Sequence, residues 1–211
     1  MILAMDGAST DLSIGLVEAD GTPIGDDAWT SRQRQSSELL PRLLALLERH
    51  GRSLDETSAV AVSTGPGSFT GLRVAMALAK GLAFALGPPI VGVPGLPAWL
   101  DAEPDAEAAI ARAGAREAYV LLRGDAEPMI ADRDRLAERL AHSVVVAPAE
   151  LAAAFDLTRA RSPRSAIQVG RAAAERLGDG DGDDLARLEP RYLRAPRGVE
   201  ASGGEASIRW L

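Results

Sequence analysis

Apolar residues in the front half of the chain fall into short runs and into leucine-rich stretches at helical spacing. Ile2 to Asp6 is a compact apolar run closed by a carboxylate. Ser13 to Glu18 is a second, and the Asp20-Gly21 turn joins it to a third at Ile24 to Thr30. Three such runs in succession predict an antiparallel meander that opens an α/β layer. Ser36 to His50 repeats leucine as one helix face does, and Ala59 to Ser63 returns to the short run of a strand. A glycine-rich turn then leads into a helix over Gly71 to Leu86. Gly87-Pro88-Pro89 stops it, since glycine accepts the left-handed cap and proline cannot continue the helix, and Ile90 to Val93 resumes as a strand.

Beyond Pro97 the texture changes to alanine, arginine and acidic residues. Strand-like runs are weaker there, at Ala118 to Leu122 and Val144 to Val146, while helical spacing falls at Asp132 to Leu140, Pro148 to Phe155 and Pro163 to Leu177. This pattern predicts two lobes: residues 1–97, and a smaller lobe over 98–195 whose helix at 163–177 is able to pack back on the first. Residues 196–211 read as a mobile tail. No internal repeat is evident.

The two front helices are more apolar than one sheet face requires. Leu39, Leu40, Leu43, Leu44, Leu46 and Leu47 spread over an arc of about 160°, against the roughly 100° stripe of an ordinary surface helix. In the second helix only Arg73 and Lys80 are charged, and small residues such as Ala75, Ala79 and Ala83 would admit another backbone closely. Either the helices cover each other within one chain, or they also form a partner surface, since so wide an apolar area rarely stays exposed. The second reading assigns the interface to Leu39, Leu43, Leu46, Leu47, Leu72, Arg73, Ala75, Met76, Ala79, Lys80 and Ala83.

Composition narrows the chemistry. The net charge is −7 over 211 residues, which argues against direct binding of nucleic acid over a broad surface. Cysteine is absent, so thiolate metal sites and disulfides are excluded and a cytoplasmic setting is expected. Met1 to Asp6 lacks the basic leader and long apolar core of a signal peptide, and Val74 to Leu86 falls short of a bilayer span, so no membrane is expected.

Two turns are candidates for binding. Asp6-Gly7-Ala8-Ser9-Thr10 lies between strands, where Gly7 amides and the Ser9 and Thr10 hydroxyls would suit a phosphate, or Asp6 would simply satisfy nearby amides. Gly65-Pro66-Gly67-Ser68-Phe69-Thr70-Gly71 joins a buried strand to a helix. It is either an anion cradle formed by Gly65, Gly67, Ser68 and Thr70 or a tight connection capped by Ser68 or Thr70. It is not a Walker loop, for the lysine and spacing are missing. His50 and His142 have no visible ligand or nucleophile partner, and no metal site is expected. The acidic run Gly178 to Asp184 lacks the sixth-position glycine and twelfth-position glutamate of a calcium loop and reads as a solvated loop.

Taken in order, Ile2-Leu3-Ala4-Met5-Asp6, Ser37-Glu38-Leu39-Leu40-Pro41, Gly65 to Arg73, Ala79-Lys80-Gly81-Leu82-Ala83 and Pro190-Arg191-Tyr192-Leu193-Arg194 resemble the YeaZ/TsaB family. The resemblance covers residues 1–97 clearly and the second lobe faintly, through Glu117 and Tyr119. It implies a two-lobed, actin-like (ribonuclease H-like) α/β fold. It also implies a non-catalytic dimerisation subunit in threonylcarbamoylation of the adenosine beside the anticodon of transfer RNAs that read codons beginning with A. The implied partners are a catalytic paralogue, a small P-loop ATPase and, in isolation, a second copy, with transfer RNA met only through the complex and no cofactor held. The chain departs from the family at Ser36, where many members have histidine, and around Arg112. The segment Val93 to Trp99 offers no imidazole or carboxylate where the catalytic paralogue binds metal, which sets aside a metallopeptidase. The competing reading is an ATP-dependent small-molecule kinase of the same superfold, using Asp6 and the glycine turns.

Overall fold

The computed structural model describes residues 1–31 and 34–193. Strands β1 (Ile2–Asp6), β2 (Asp11–Val17) and β3 (Pro23–Thr30) form the expected meander, with Met5 opposite Ile14 and Leu12 opposite Trp29. Helix α1 (Gln35–Arg49) leads to β4 (Ala59–Gly65), and α2 (Phe69–Leu86) leads to β5 (Ile90–Pro94). Both later strands add in parallel, giving the order β3-β2-β1-β4-β5. A crossover between parallel strands must run its helix back over a face of the sheet, so α1 and α2 lie side by side on one face.

After α3 (Gly95–Asp101) the chain builds the same arrangement again. Strands β6 (Ala108–Arg112), β7 (Glu117–Leu122) and β8 (Met129–Asp132) make a second meander. Helix α4 (Arg133–Leu140), strand β9 (Val145–Val146), helix α5 (Ala149–Ala154) and strand β10 (Ala160–Arg161) follow, and the order is β10-β9-β6-β7-β8. Read from the other edge, this is the order of the first sheet. The duplication lies in topology, not in residues, which is why no repeat shows in the sequence. Strand β6 reads Ala-Ala-Ile-Ala-Arg, with little strand propensity, and β9 and β10 have two residues each. Two mixed sheets, each opened by a meander, constitute the actin-like, ribonuclease H-like α/β fold.

The last helix of each half covers the other half's sheet. Leu96, Trp99 and Leu100 of α3 join the core of the second sheet with Ala109, Tyr119, Leu121 and Ile130. Helix α6 (Ser165–Gly178) lies on the first sheet, where Ile167, Val169 and Ala173 meet Ile2, Ala4, Val17 and Val91. The outer face of the first sheet is closed by α1 and α2, that of the second by Leu136 and Leu140 of α4 and Leu151 of α5. Helix α2 is long and apolar enough to cross a membrane on length and composition alone, yet it buries seven residues against the first sheet's core.

From α6 the chain returns along the first lobe as a strap. Asp183 bridges Ile90 and accepts from the Gly92 amide, Leu188 packs on the outer core, and the Arg191 amide donates to the Thr64 carbonyl. Arg176 of α6 pairs with both Asp181 and Asp183. The acidic run expected as a solvated loop is thus partly a clasp, because an arginine from the preceding helix gathers two of its carboxylates onto the edge of β5. Arg194 and the 196–211 tail lie outside the described residues.

Candidate functional site

A cleft of about 860 Å³ opens between the halves where their turns face each other. The β1–β2 turn contributes Ala8, Ser9 and Thr10, and the start of α2 contributes Gly67, Ser68 and Phe69. The β6–β7 turn supplies Arg112 to Glu117, with Tyr119, Asp132 and Tyr192 completing the walls. Of the candidate binding residues, Ser9, Thr10, Gly67 and Ser68 line this space. Asp6, Gly7 and Gly65 are buried beneath it, and Thr70 is exposed outside the lining.

Close packing explains the glycines. A Cβ on Gly7 would stand 2.3 Å from the Gly71 carbonyl oxygen, and one on Gly71 would stand 2.2 Å from that of Gly7. A Cβ on Gly67 would meet the Ala8 carbonyl oxygen at 2.1 Å. That carbonyl accepts from the Ser68 amide at 2.7 Å, and Ser68 Oγ accepts from the Gly71 amide at 3.2 Å, capping α2. The two turns lock onto each other, so the Ser68 amide and hydroxyl are already engaged.

Other polar groups of the cleft are engaged as well. Ser9 Oγ donates to the Asp11 carbonyl at 2.6 Å. Thr10 Oγ1 donates to Glu150 at 2.9 Å, and Arg112 donates to the other oxygen of the same carboxylate at 2.9 Å, tying one half to the other. Arg116 pairs with Asp134. Below them Asp6 accepts from the Ala8 amide at 2.7 Å through Oδ1, while Oδ2 and the indole Nε1 of Trp99 are buried without a partner among the described residues. Burial is the largest influence on Asp6 and raises its carboxyl to about 6, while the Ala8 amide and the nearby Ser63, Trp99 and Ser165 side chains pull the other way.

At the rim, Arg73 Nε donates to the Tyr192 hydroxyl at 2.9 Å, and its guanidinium lies 4.2 Å from the centre of the Phe69 ring. Sequence reading placed Arg73 on a partner interface and missed its strap partner, since nothing local links positions 73 and 192. It also missed Arg112, Arg116 and Asp132 as cleft residues, which only the second meander brings into place.

The interface residues named from the wheel are corrected. Leu39, Leu43, Leu46, Leu47, Leu72, Ala75, Met76, Ala79 and Ala83 are buried in the chain's own core, at 4% exposure or less. The leucines face the sheet because α1 and α2 shelter each other along one side. What remains outward is Leu40 at 38% and Leu44 at 45% exposure on α1, and Phe84 at 82% on α2 with Ala77 and Gly81 exposed before it. Of the residues named, Arg73 is exposed and Lys80 half-buried, its Nζ donating to the Ala186 carbonyl. Among the described residues no group of three or more His, Asp or Glu is arranged to hold a metal ion.

The family model for tRNA N6-adenosine threonylcarbamoyltransferase, TsaD, matches residues 30–178. The tRNA threonylcarbamoyladenosine biosynthesis protein TsaB of Escherichia coli is 37% identical over 92 residues, 44% of this chain and 39% of that protein. Its Bacillus subtilis counterpart is 35% identical over 95 residues, 45% and 41% of the two chains. The matched region therefore spans less than half the length of these curated relatives. In three dimensions, YeaZ from Pseudomonas aeruginosa superposes with a TM-score of 0.68 at 23% identity, covering 90% of this chain and 98% of that one. A second P. aeruginosa structure, described as similar to peptidase YEAZ, gives 0.71 at 24% identity, covering 92% and 99%. At this identity the two structures speak to the fold alone.

Proposed function

This chain belongs to the TsaD family of tRNA N6-adenosine threonylcarbamoyltransferases, within its YeaZ/TsaB group, and from that premise we propose that it is the non-catalytic docking subunit of a tRNA-threonylcarbamoylating complex. It presents its α1–α2 face to a catalytic paralogue, and a small P-loop ATPase joins the assembly. The modified base is the adenosine next to the anticodon in transfer RNAs reading codons that begin with A.

The observation that carries this reading is the outward strip of Leu40, Leu44, Ala77, Gly81 and Phe84. An 82%-exposed phenylalanine on α2 and two exposed leucines on α1 lose water only when another surface covers them. The cleft supports the same reading from the other side. Its hydroxyls on Ser9, Thr10 and Ser68 and its guanidiniums on Arg112 and Arg116 are held by partners within the chain, whereas a phosphate-transfer site keeps such donors aimed at its substrate.

Reconstitution tests the proposal. The paralogue, the ATPase, transfer RNA and the small-molecule substrates are combined with and without this chain. Modified transfer RNA is expected only when the chain is present, and the chain alone is expected to give neither modification nor steady ATP turnover. Turnover by the isolated chain would favour the kinase reading instead.

A further inference from the structure

We propose that Glu150 is a displaceable latch that clamps the two halves of the chain together beside the cleft, and that its release lets the halves turn about the starts of α3 and α6 and widens the cleft. Neither Glu150 nor its partners belong to the α1–α2 face, so the inference stands apart from the docking reading.

Glu150 lies in the first turn of α5, a helix of the second half whose Leu151 and Ala152 are built into that half's core. Its backbone is therefore fixed while its side chain reaches outward. One carboxylate oxygen accepts from Thr10 Oγ1 of the first half, and the other accepts from Arg112 at the end of β6 in its own half, both at 2.9 Å. Arg112 thus aims the carboxylate across the gap. Thr10 is held as firmly on its side, because the β1–β2 turn that carries it is bonded to the start of α2 through the Ala8 carbonyl. A short polar bridge joins two well-anchored bodies.

The bridge is also one that opens. The Glu150 and Arg112 side chains are 57% and 36% exposed, so water competes for each of their hydrogen bonds. An exposed pair of this kind shifts an equilibrium by no more than about fivefold. Space lies on both sides of it. Thr10 and Arg112 border the 860 Å³ cleft, whereas their chain neighbours on the other side, Asp11 beside Thr10 and Ala149 beside Glu150, border a second cavity of about 330 Å³ at the start of α6. Ser9 borders both. The contact therefore spans open space, and parting it exposes little apolar surface. The chain crosses between the halves where β5 runs into α3 at Pro94-Gly95 and where Pro163 and Arg164 lead into α6. Residues at the ends of elements are where a hinge absorbs rotation. Ion pairs from the strap, Arg191 to Glu127, and from the start of α6, Arg164 to Asp26, remain to limit the movement.

Spin-label distances in the full chain test the latch. The chain contains no cysteine, so Thr70→Cys at the start of α2 and Ala115→Cys in the β6–β7 turn, both exposed, give one pair of labelling sites across the cleft. The labelled chain is expected to show a dominant short separation. Glu150→Ala and Thr10→Val are each expected to raise the population at longer separation about threefold to fivefold, with a shift of roughly 2 Å or more. Since both variants break the same contact, combining them is expected to add nothing to either alone. Thr10→Val keeps the shape of its side chain and carries the test if Glu150→Ala fails to fold. Distance distributions unchanged by these variants, or effects that add in the double variant, would overturn the latch. So would a labelled parent chain that already favours the longer separation.

Discussion

The amide of Ser68 donates a 2.7 Å hydrogen bond to the carbonyl of Ala8, joining the first turn of α2 to the β1–β2 turn. This contact engages the Ser68 amide that an anion cradle would use. Glycine is required at 67 because a backbone oxygen occupies the place of a side chain, and the same holds at 7 and 71. The chain's most distinctive motif thus seats α2, the helix whose exposed side we propose for docking.

Gly67→Ala is expected to destabilise the chain by about 2–4 kcal/mol, since the obstructing atom is backbone and no rotamer change relieves the clash. Urea denaturation followed by circular dichroism measures the loss, and a change under about 0.5 kcal/mol would contradict the interlocked turns.

Asp6 makes stability depend on pH in a defined direction. Its folded carboxyl is raised to about 6 by burial, so between the ordinary carboxylate range and that value the folded chain binds more protons than the unfolded one. The Asp6 contribution to stability therefore falls by roughly 3 kcal/mol as pH rises from about 4 to about 6 and is level above. Asp6→Asn removes this component. The difference in unfolding free energy between wild type and variant is expected to shrink in wild type's disfavour across that window; a difference independent of pH would show that the carboxyl titrates normally.

The corrected interface separates folding from docking. Ala79 is fully buried, so Ala79→Asp places an unpaired charge in the core and is expected to cost several kcal/mol and abolish folding. Leu44→Asp, on the outward strip, is expected to leave the melting temperature within a few degrees of wild type while weakening assembly by about 2 kcal/mol or more. Thermal denaturation and sedimentation of the two variants check both halves of the statement.

The clasp at the strap makes two neighbouring aspartates unequal. Asp183→Ala removes acceptors for the Gly92 amide and Arg176 and is expected to cost about 1–3 kcal/mol. Asp179→Ala, whose side chain has no such partner among the described residues, is expected to change stability by less than about 0.5 kcal/mol. Equal effects in urea titrations would contradict the clasp.

The first lobe was legible because its strands are apolar runs of five or more residues and its helices repeat leucine at one spacing. The second lobe was not. Alanine at 108, 109 and 111 serves a strand as readily as a helix, and β9 and β10 are too short to carry a period. The face of α1 was misjudged by one strip: Leu39 and Leu40 both belong to the apolar arc, and only the packing of the fold decides that the first is buried and the second exposed. The cleft was half legible, through Ser9, Thr10, Gly67 and Ser68. Its other wall comes from residues more than forty positions away, beyond what any local pattern encodes.

The most direct test of the central claim is the effect of Phe84→Asp on complex formation with the catalytic paralogue and on the transfer RNA modification that the complex performs. Phe84 is 82% exposed, so the variant is expected to fold as wild type does, fail to co-sediment with the paralogue and fail to support modification. A folded Phe84→Asp chain that still binds the paralogue and sustains full modification would contradict the account.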